Sequence, residues 1–303
     1  MTNNGFPHTL EGVRQFAAAA AATGEFVSHF ALTAANFTPD YREPGVESID
    51  AIDADIGSAD DVQDPLLTAH KLAKFYLIST GDALVSCCGL VRKGHPNHVG
   101  SAALARTVAE HGSKVMFLAD PEAGWKARIL RMYLLFKDGM NEYRSSNNDG
   151  VTQLLNLWDK WRARTGKEFF GTTKQKIGSN RDLIERYFDH DLAYDELSRP
   201  VHGNAIWMTM VVLQEQKRTN YAWCATLRNF TFALDVCLSA ADRLCELWEL
   251  DRDEVLATLA EHHSVEALTW NELNRRCEIV RVGVDMLTAG VQTDFTNDPQ
   301  PRR

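Results

Sequence analysis

The stretch Tyr194–Asp195–Glu196–Leu197–Ser198–Arg199–Pro200–Val201–His202–Gly203–Asn204 gathers a phenol, a guanidinium and an imidazole in one short segment. An imidazole exchanges protons readily near neutral pH, and a guanidinium beside it can hold an anion while the proton moves. Pro200 suits the first turn of a helix, which makes Ser198 the expected N-cap. His202 would then sit at the positive end of a helix dipole, where a neutral imidazole is favoured. Gly203 removes a side chain next to it and lets another element approach closely. His202, Arg199 and Tyr194 are therefore expected to be the proton-handling residues of a site.

A second set of charges lies on segments with apolar seams. Arg106 and Glu110 stand four apart, Arg128 and Arg131 three apart, so each pair shares a helix face. A guanidinium turned into a bundle interior needs a partner, because an unpaired buried charge is very costly. Glu110 and Asp195 can supply such partners. An arginine left over can grip a carboxylate or a phosphate. Arg106, Glu110, Arg128 and Arg131 are thus expected to hold a small molecule in a bundle-core pocket shared with Tyr194, Arg199 and His202. This is the expectation for an enzyme or a ligand-binding protein, with no cofactor.

Asp60–Asp61–Val62–Gln63–Asp64 resembles the DDxxD motif of class I terpene synthases. That resemblance implies an alternative in which Asp60, Asp61 and Asp64 hold Mg²⁺ ions gripping an isoprenyl diphosphate. Asn148–Asp149–Gly150–Val151–Thr152 fits the start of the second motif of those enzymes, with Asn156 where a glutamate belongs. His95 and His98 lie near Cys87 and Cys88, but without the Cys-x-x-Cys spacing of a metal site; the two thiols fit better as small hydrophobes. No Gly-rich phosphate loop, nucleophile elbow, His-Glu-x-x-His or dinucleotide fingerprint occurs.

The elements that must position these groups read with the helical repeat. Trp223, Leu227, Phe230, Leu234, Cys237, Ala241, Leu244 and Trp248 recur at steps of three and four, predicting one long core-facing helix from Asn220 to Leu250. A second long segment covers Pro65–Arg92, with Gly81 marking a bend. Asp120 before Pro121 predicts a helix start. Val201–Leu213 is apolar almost all round and is expected to be the central, buried helix. No strand alternation is found. The fold expected is all-α: a multi-helix bundle with an appended N-terminal helical segment at 1–37. An acidic loop or linker at 38–64, the main bundle at 65–290 and a tail at 291–303 complete the division.

The chain has 303 residues, 45% hydrophobic and 24% charged, enough for a sizeable core. The Ala17–Ala22 run is followed by Gly24, Glu25 and His29 without a basic region before it, so neither a signal peptide nor a membrane span is expected. A cytoplasmic location follows, with six cysteines as reduced thiols. Net charge of −9 argues against nucleic acid as a partner. A homodimer is compatible with the apolar helices.

From Pro65 to Leu250 the order is helix, His-Pro loop, "LARTVAEHGSKVMFLADPEAGWKARILRMYL", and then "YDELSRPVHGN" before an apolar helix. This order resembles a family of helical bacterial proteins of unknown function that pair an Arg/Glu-bearing helix with a Leu-Ser-x-x-x-His-Gly stretch. Arg106, Glu110 and His202 match those positions. Such bundles are similar in outline to HEPN domains, which include RNA-cleaving toxins and defence proteins. The resemblance implies RNA-acting chemistry as another alternative. HEPN nucleases space an arginine four to six residues from the histidine; here Arg199 stands closer than that to His202.

Overall fold

The computed structural model describes residues 10–37, 41–46, 48–57, 62–143, 149–165, 173–188, 193–217 and 220–289. Among them every regular element is helical. Four long helices form the centre: α1 (Leu10–Asn36), α3 (Pro65–Arg92), α4 (His98–Leu118) and α10 (Tyr221–Leu247). Short α2 (Ile49–Ile56) precedes α3. After α4 come α5 (Gly124–Tyr143), α6 (Asp149–Thr165), α7 (Asn180–Phe188), α8 (Ala193–Val201) and α9 (Ala205–Gln216). The last two are α11 (Arg252–His263) and α12 (Trp270–Ala289).

The apolar seam predicted from Trp223 to Trp248 is the buried face of α10. Its neighbour α1, the N-terminal helical segment, packs along the bundle. Val13, Ala17, Ala21, Gly24, Val27 and Ala31 are buried against the same core. Small residues let it approach closely: a Cβ on Gly24 would stand 2.7 Å from Cys88 Sγ and from the Phe230 ring. At Gly81, where a bend is expected, α3 continues as helix without a break. The glycine instead admits α1, with Ser28 Oγ donating to the Gly81 carbonyl at 2.5 Å. By length and composition α3 would pass for a membrane-crossing helix. Here Leu66, Leu77 and Leu84 are wholly buried between its neighbours.

Segment 38–64, expected as a loop, contains α2. Its Asp53 is buried and accepts from the amides of Leu66 and Leu67 at 2.7 and 3.0 Å, so it caps the exposed N–H groups at the start of α3. Asp64 stands just before α3 in left-handed backbone (φ 46°) and makes no capping bond.

The largest departure concerns residues 193–216. Pro200 lies in the last turn of α8, not the first turn of a following helix, and Ser198 is inside α8, donating to the Tyr194 carbonyl at 2.5 Å. His202 follows the end of α8. Gly203 (φ +62°) donates to the Pro200 carbonyl and Asn204 to that of Arg199, at 3.1 and 3.0 Å, which is the Schellman closure of a helix. Asn204 then caps α9 through Trp207 N at 3.1 Å. The dipole argument for His202 therefore loses its premise, since the positive end of a helix is not there. Nor is α9 central: Ile206 is 76% exposed.

Candidate functional site

The proximity of α8 to α4 brings four of the expected residues together. Arg106 and Glu110 are one turn apart on α4, and Arg106 Nε donates to Glu110 Oε1 at 2.8 Å. From α8, Tyr194 accepts at its hydroxyl from Arg106 Nη2 at 2.7 Å. The guanidinium also lies over the tyrosine ring, 4.8 Å from its centroid. Arg106 Nη1 meets His202 Nε2 at 3.1 Å. A guanidinium has no acceptor, so Nε2 must accept, and the imidazole in this contact carries its hydrogen on Nδ1.

Burial alone would lower the Arg106 pKa. The hydrogen bond and charge of Glu110, followed by Tyr194, outweigh that and push it up. The group therefore stays cationic. Its side chain is 23% exposed and that of Glu110 21%; His202 is exposed. The cluster sits at the bundle surface, not in a core pocket. Three of the five N–H groups of Arg106 have partners among the described residues, which leaves one on each terminal nitrogen. Those two N–H groups are free to donate to a carboxylate or phosphate.

Arg128 and Arg131 do not join this cluster. Arg128 is buried, donates from Nε and Nη2 to the two oxygens of Glu43 at 2.7 and 3.1 Å, and also reaches the carbonyls of Leu118 and Asp120. Glu43 accepts further from His70 Nε2 at 2.9 Å, and Trp248 Nε1 donates to His70 Nδ1 at 2.9 Å. This closed chain satisfies every charge in it. Burial raises the Glu43 pKa, but hydrogen bonds from His70 and Arg128 more than reverse this and hold it low. For His70 burial dominates and pushes the pKa down, against the pull of Glu43. Arg131 is taken up by the Phe117 carbonyl at 2.7 Å, Asp120 at 3.0 Å and Gln175 at 2.8 Å. Both arginines cap the carbonyl end of α4 from the next helix, a structural use of charge.

Arg199 is exposed on the last turn of α8 and has no charged or hydrogen-bonded side-chain partner among the described residues; it is not part of the Arg106 cluster. Asp195 pairs with Arg181. Asp60 and Asp61 lie outside the described residues. Among those described, no three His, Cys, Asp or Glu side chains converge as a metal site. Sequence reading missed Glu43 and His70. The signal available was Tyr41–Arg42–Glu43–Pro44–Gly45, an aromatic and an acid beside a turn within the acidic stretch. It also missed the aromatic contact of Trp207 on His98, with ring centroids 5.1 Å apart, where the start of α9 meets the start of α4.

The fold is an all-α bundle, and it carries a partly exposed arginine–tyrosine–histidine cluster on its surface. Compared with known proteins, the chain matches no family model, no curated protein and no solved structure.

Proposed function

We propose that the Arg106–Glu110–Tyr194–His202 cluster binds a small anionic molecule, carrying a phosphate or a carboxylate, and handles its proton. The observation that carries this reading is the single guanidinium shared by a carboxylate, a phenol and an unprotonated imidazole nitrogen at a solvent-facing position. An anion on the two unpartnered terminal N–H groups of Arg106 lies beside His202, whose Nε2, on turning away from Arg106 Nη1, accepts a proton from the ligand or from water. Glu110 keeps the guanidinium oriented while this exchange occurs, and Tyr194 offers its hydroxyl to the same anion. In this role His202 is the base and Arg106 the anion holder. A cytoplasmic setting is supported by cysteines that are all unpaired and buried thiols.

A second reading, RNA cleavage in the manner of HEPN proteins, is favoured by one observation. The arginine that touches His202 is Arg106, brought from another helix, so an arginine and a histidine adjoin although Arg199 has the wrong spacing. The experiment that separates the two is a thermal-shift titration with phosphate, nucleoside monophosphates and small carboxylates, run beside incubation with total RNA. The first reading expects stabilisation by at least one small anion that Arg106→Met and His202→Ala remove, with RNA intact. RNA cut by the wild type and spared by both variants favours the second. No stabilisation and intact RNA would overturn both.

A further inference from the structure

The side chains of α9 turned toward the bundle are Trp207, Met210, Val211 and Gln214, the least exposed of that helix. Their steps of three, one and three lie on one face. The opposite arc carries Ile206, Met208, Thr209, Val212 and Leu213; Ile206 is 76% exposed, Met208 44%, Val212 49% and Leu213 44%. A surface helix normally turns its polar residues outward. Here the outward arc is as apolar as the inward one, and Ala205–Gln214 includes no charged residue.

We propose that this outward arc of α9 is the surface through which two copies of the chain pair, helix against helix and antiparallel about a two-fold axis near Thr209. The arc is self-complementary. Ile206 and Leu213 are seven residues apart on one flank and equally far from the middle, so an antiparallel copy sets each Ile206 beside Leu213 of the second copy. Thr209 and Val212 on the midline are short enough to let the axes come close. Charge selects the same occupant. Two copies of a chain with net charge −9 repel overall, and an uncharged face lets them touch without acid meeting acid. A strongly charged partner would find nothing on the arc to pair with. A helix lying on a membrane carries Lys and Arg along its polar side, and Ala205–Gln214 has none.

Size sets the strength of the contact. A helix of this length is about 18 Å long and about 11 Å wide, so slightly under half its perimeter offers roughly 300 Å² per copy. That area stays below the roughly 800 Å² per partner of a standard interface, which places this dimer among those that dissociate on dilution. The inference is independent of the anion reading, since no residue of the Arg106 cluster belongs to the arc.

Sedimentation velocity on the full chain, from low to several hundred micromolar, tests it. The wild type should pass from monomer to dimer over that range. Val212→Glu and Val212→Lys should each remain monomeric with unchanged circular dichroism and near-native melting, and an equimolar mixture of the two should dimerise again. A wild type that is monomeric throughout would overturn the proposal. So would a dimer that both variants leave intact, or a mixture that stays monomeric. Flotation of the wild type with phosphatidylcholine vesicles, lost in both variants, would overturn it by assigning the face to lipid.

Discussion

Replacing Glu43 by glutamine isolates the buried ionic chain with almost no change of shape. In the wild type the Glu43 side chain is wholly buried and its two oxygens receive two N–H bonds from Arg128 and one from His70. Glutamine has one oxygen and an NH₂ group, so at least one donor of Arg128 or His70 must face another donor. The guanidinium, 1% exposed, is then a buried cation without an anionic partner, held by neutral oxygens that include the carbonyls of Leu118 and Asp120. Breaking a buried pair by neutralising one partner typically costs about 3–5 kcal/mol. For a chain of this size that corresponds to a Tm lower by roughly 5–8 °C. Urea denaturation monitored by circular dichroism measures the loss directly, with the midpoint lowered and the slope retained. Arg128→Met should cost a similar amount, and the double variant clearly less than the sum of the two. A loss for Glu43→Gln below about 1 kcal/mol, or strict additivity in the double variant, would refute the view that these charges depend on one another.

Acidification should act in the same direction through His70, three further histidines and Glu43. His70 is held neutral when folded, its pKa pushed below 6.5, so the unfolded chain binds the extra proton and stability is lost as pH falls through and below 6.5. His29, His98 and His111 are shifted the same way by burial and add to it, each by at most about 1.4 kcal/mol per pH unit. Glu43, with its pKa lowered, contributes stability that is present above about 4.5 and disappears as pH falls through its folded value; a Tm rising on titration from pH 7 to 5 would contradict this. His202→Ala removes one bond at an exposed position, so its cost should stay below about 1 kcal/mol by calorimetry while the anion-induced shift vanishes. A loss of several kcal/mol would mark His202 as scaffold. Gly24→Ala should destabilise by about 1–3 kcal/mol despite alanine's better helix propensity, because its methyl meets Cys88 and Phe230 in a filled core. Gly203→Ala meets no neighbour but takes on a left-handed φ of +62°, and its cost should be about 1–2 kcal/mol in the same denaturation assay.

The long seam of α10 was legible because eight apolar residues repeat on one face. The pairing of Arg106 with Glu110 followed from their spacing alone. What periodicity could not supply was the side on which a helix finds its neighbours. The segment that became α9 has apolar residues all round, and sequence offers no distinction between a helix enclosed by its own chain and one that leaves an apolar arc uncovered. Pro200 misled for a related reason. It is tolerated in a first turn, but also near the end of a short helix followed by a glycine that closes it. Arg128 and Arg131 look the same on a helical wheel as Arg106, and only the crossing of α5 past the end of α4 directs them to backbone carbonyls. Glu43 was hidden among aspartates because its partners stand 27 and 85 residues further along the chain.

Those separations carry a consequence for the time course of folding. Trp248 lies 178 residues from His70, and Glu43 cannot be enclosed until α3, α5 and the end of α10 have all arrived. Closing loops of that length precedes any gain from the contacts they bring, so the ionic chain forms after the main barrier, as the last fastening of an assembled bundle. Its loss in Glu43→Gln should then appear almost entirely as faster unfolding, with the refolding rate close to wild type and a φ-value near zero. The residues 41–46 would accordingly act as a catch that governs how long the native state persists once it has formed.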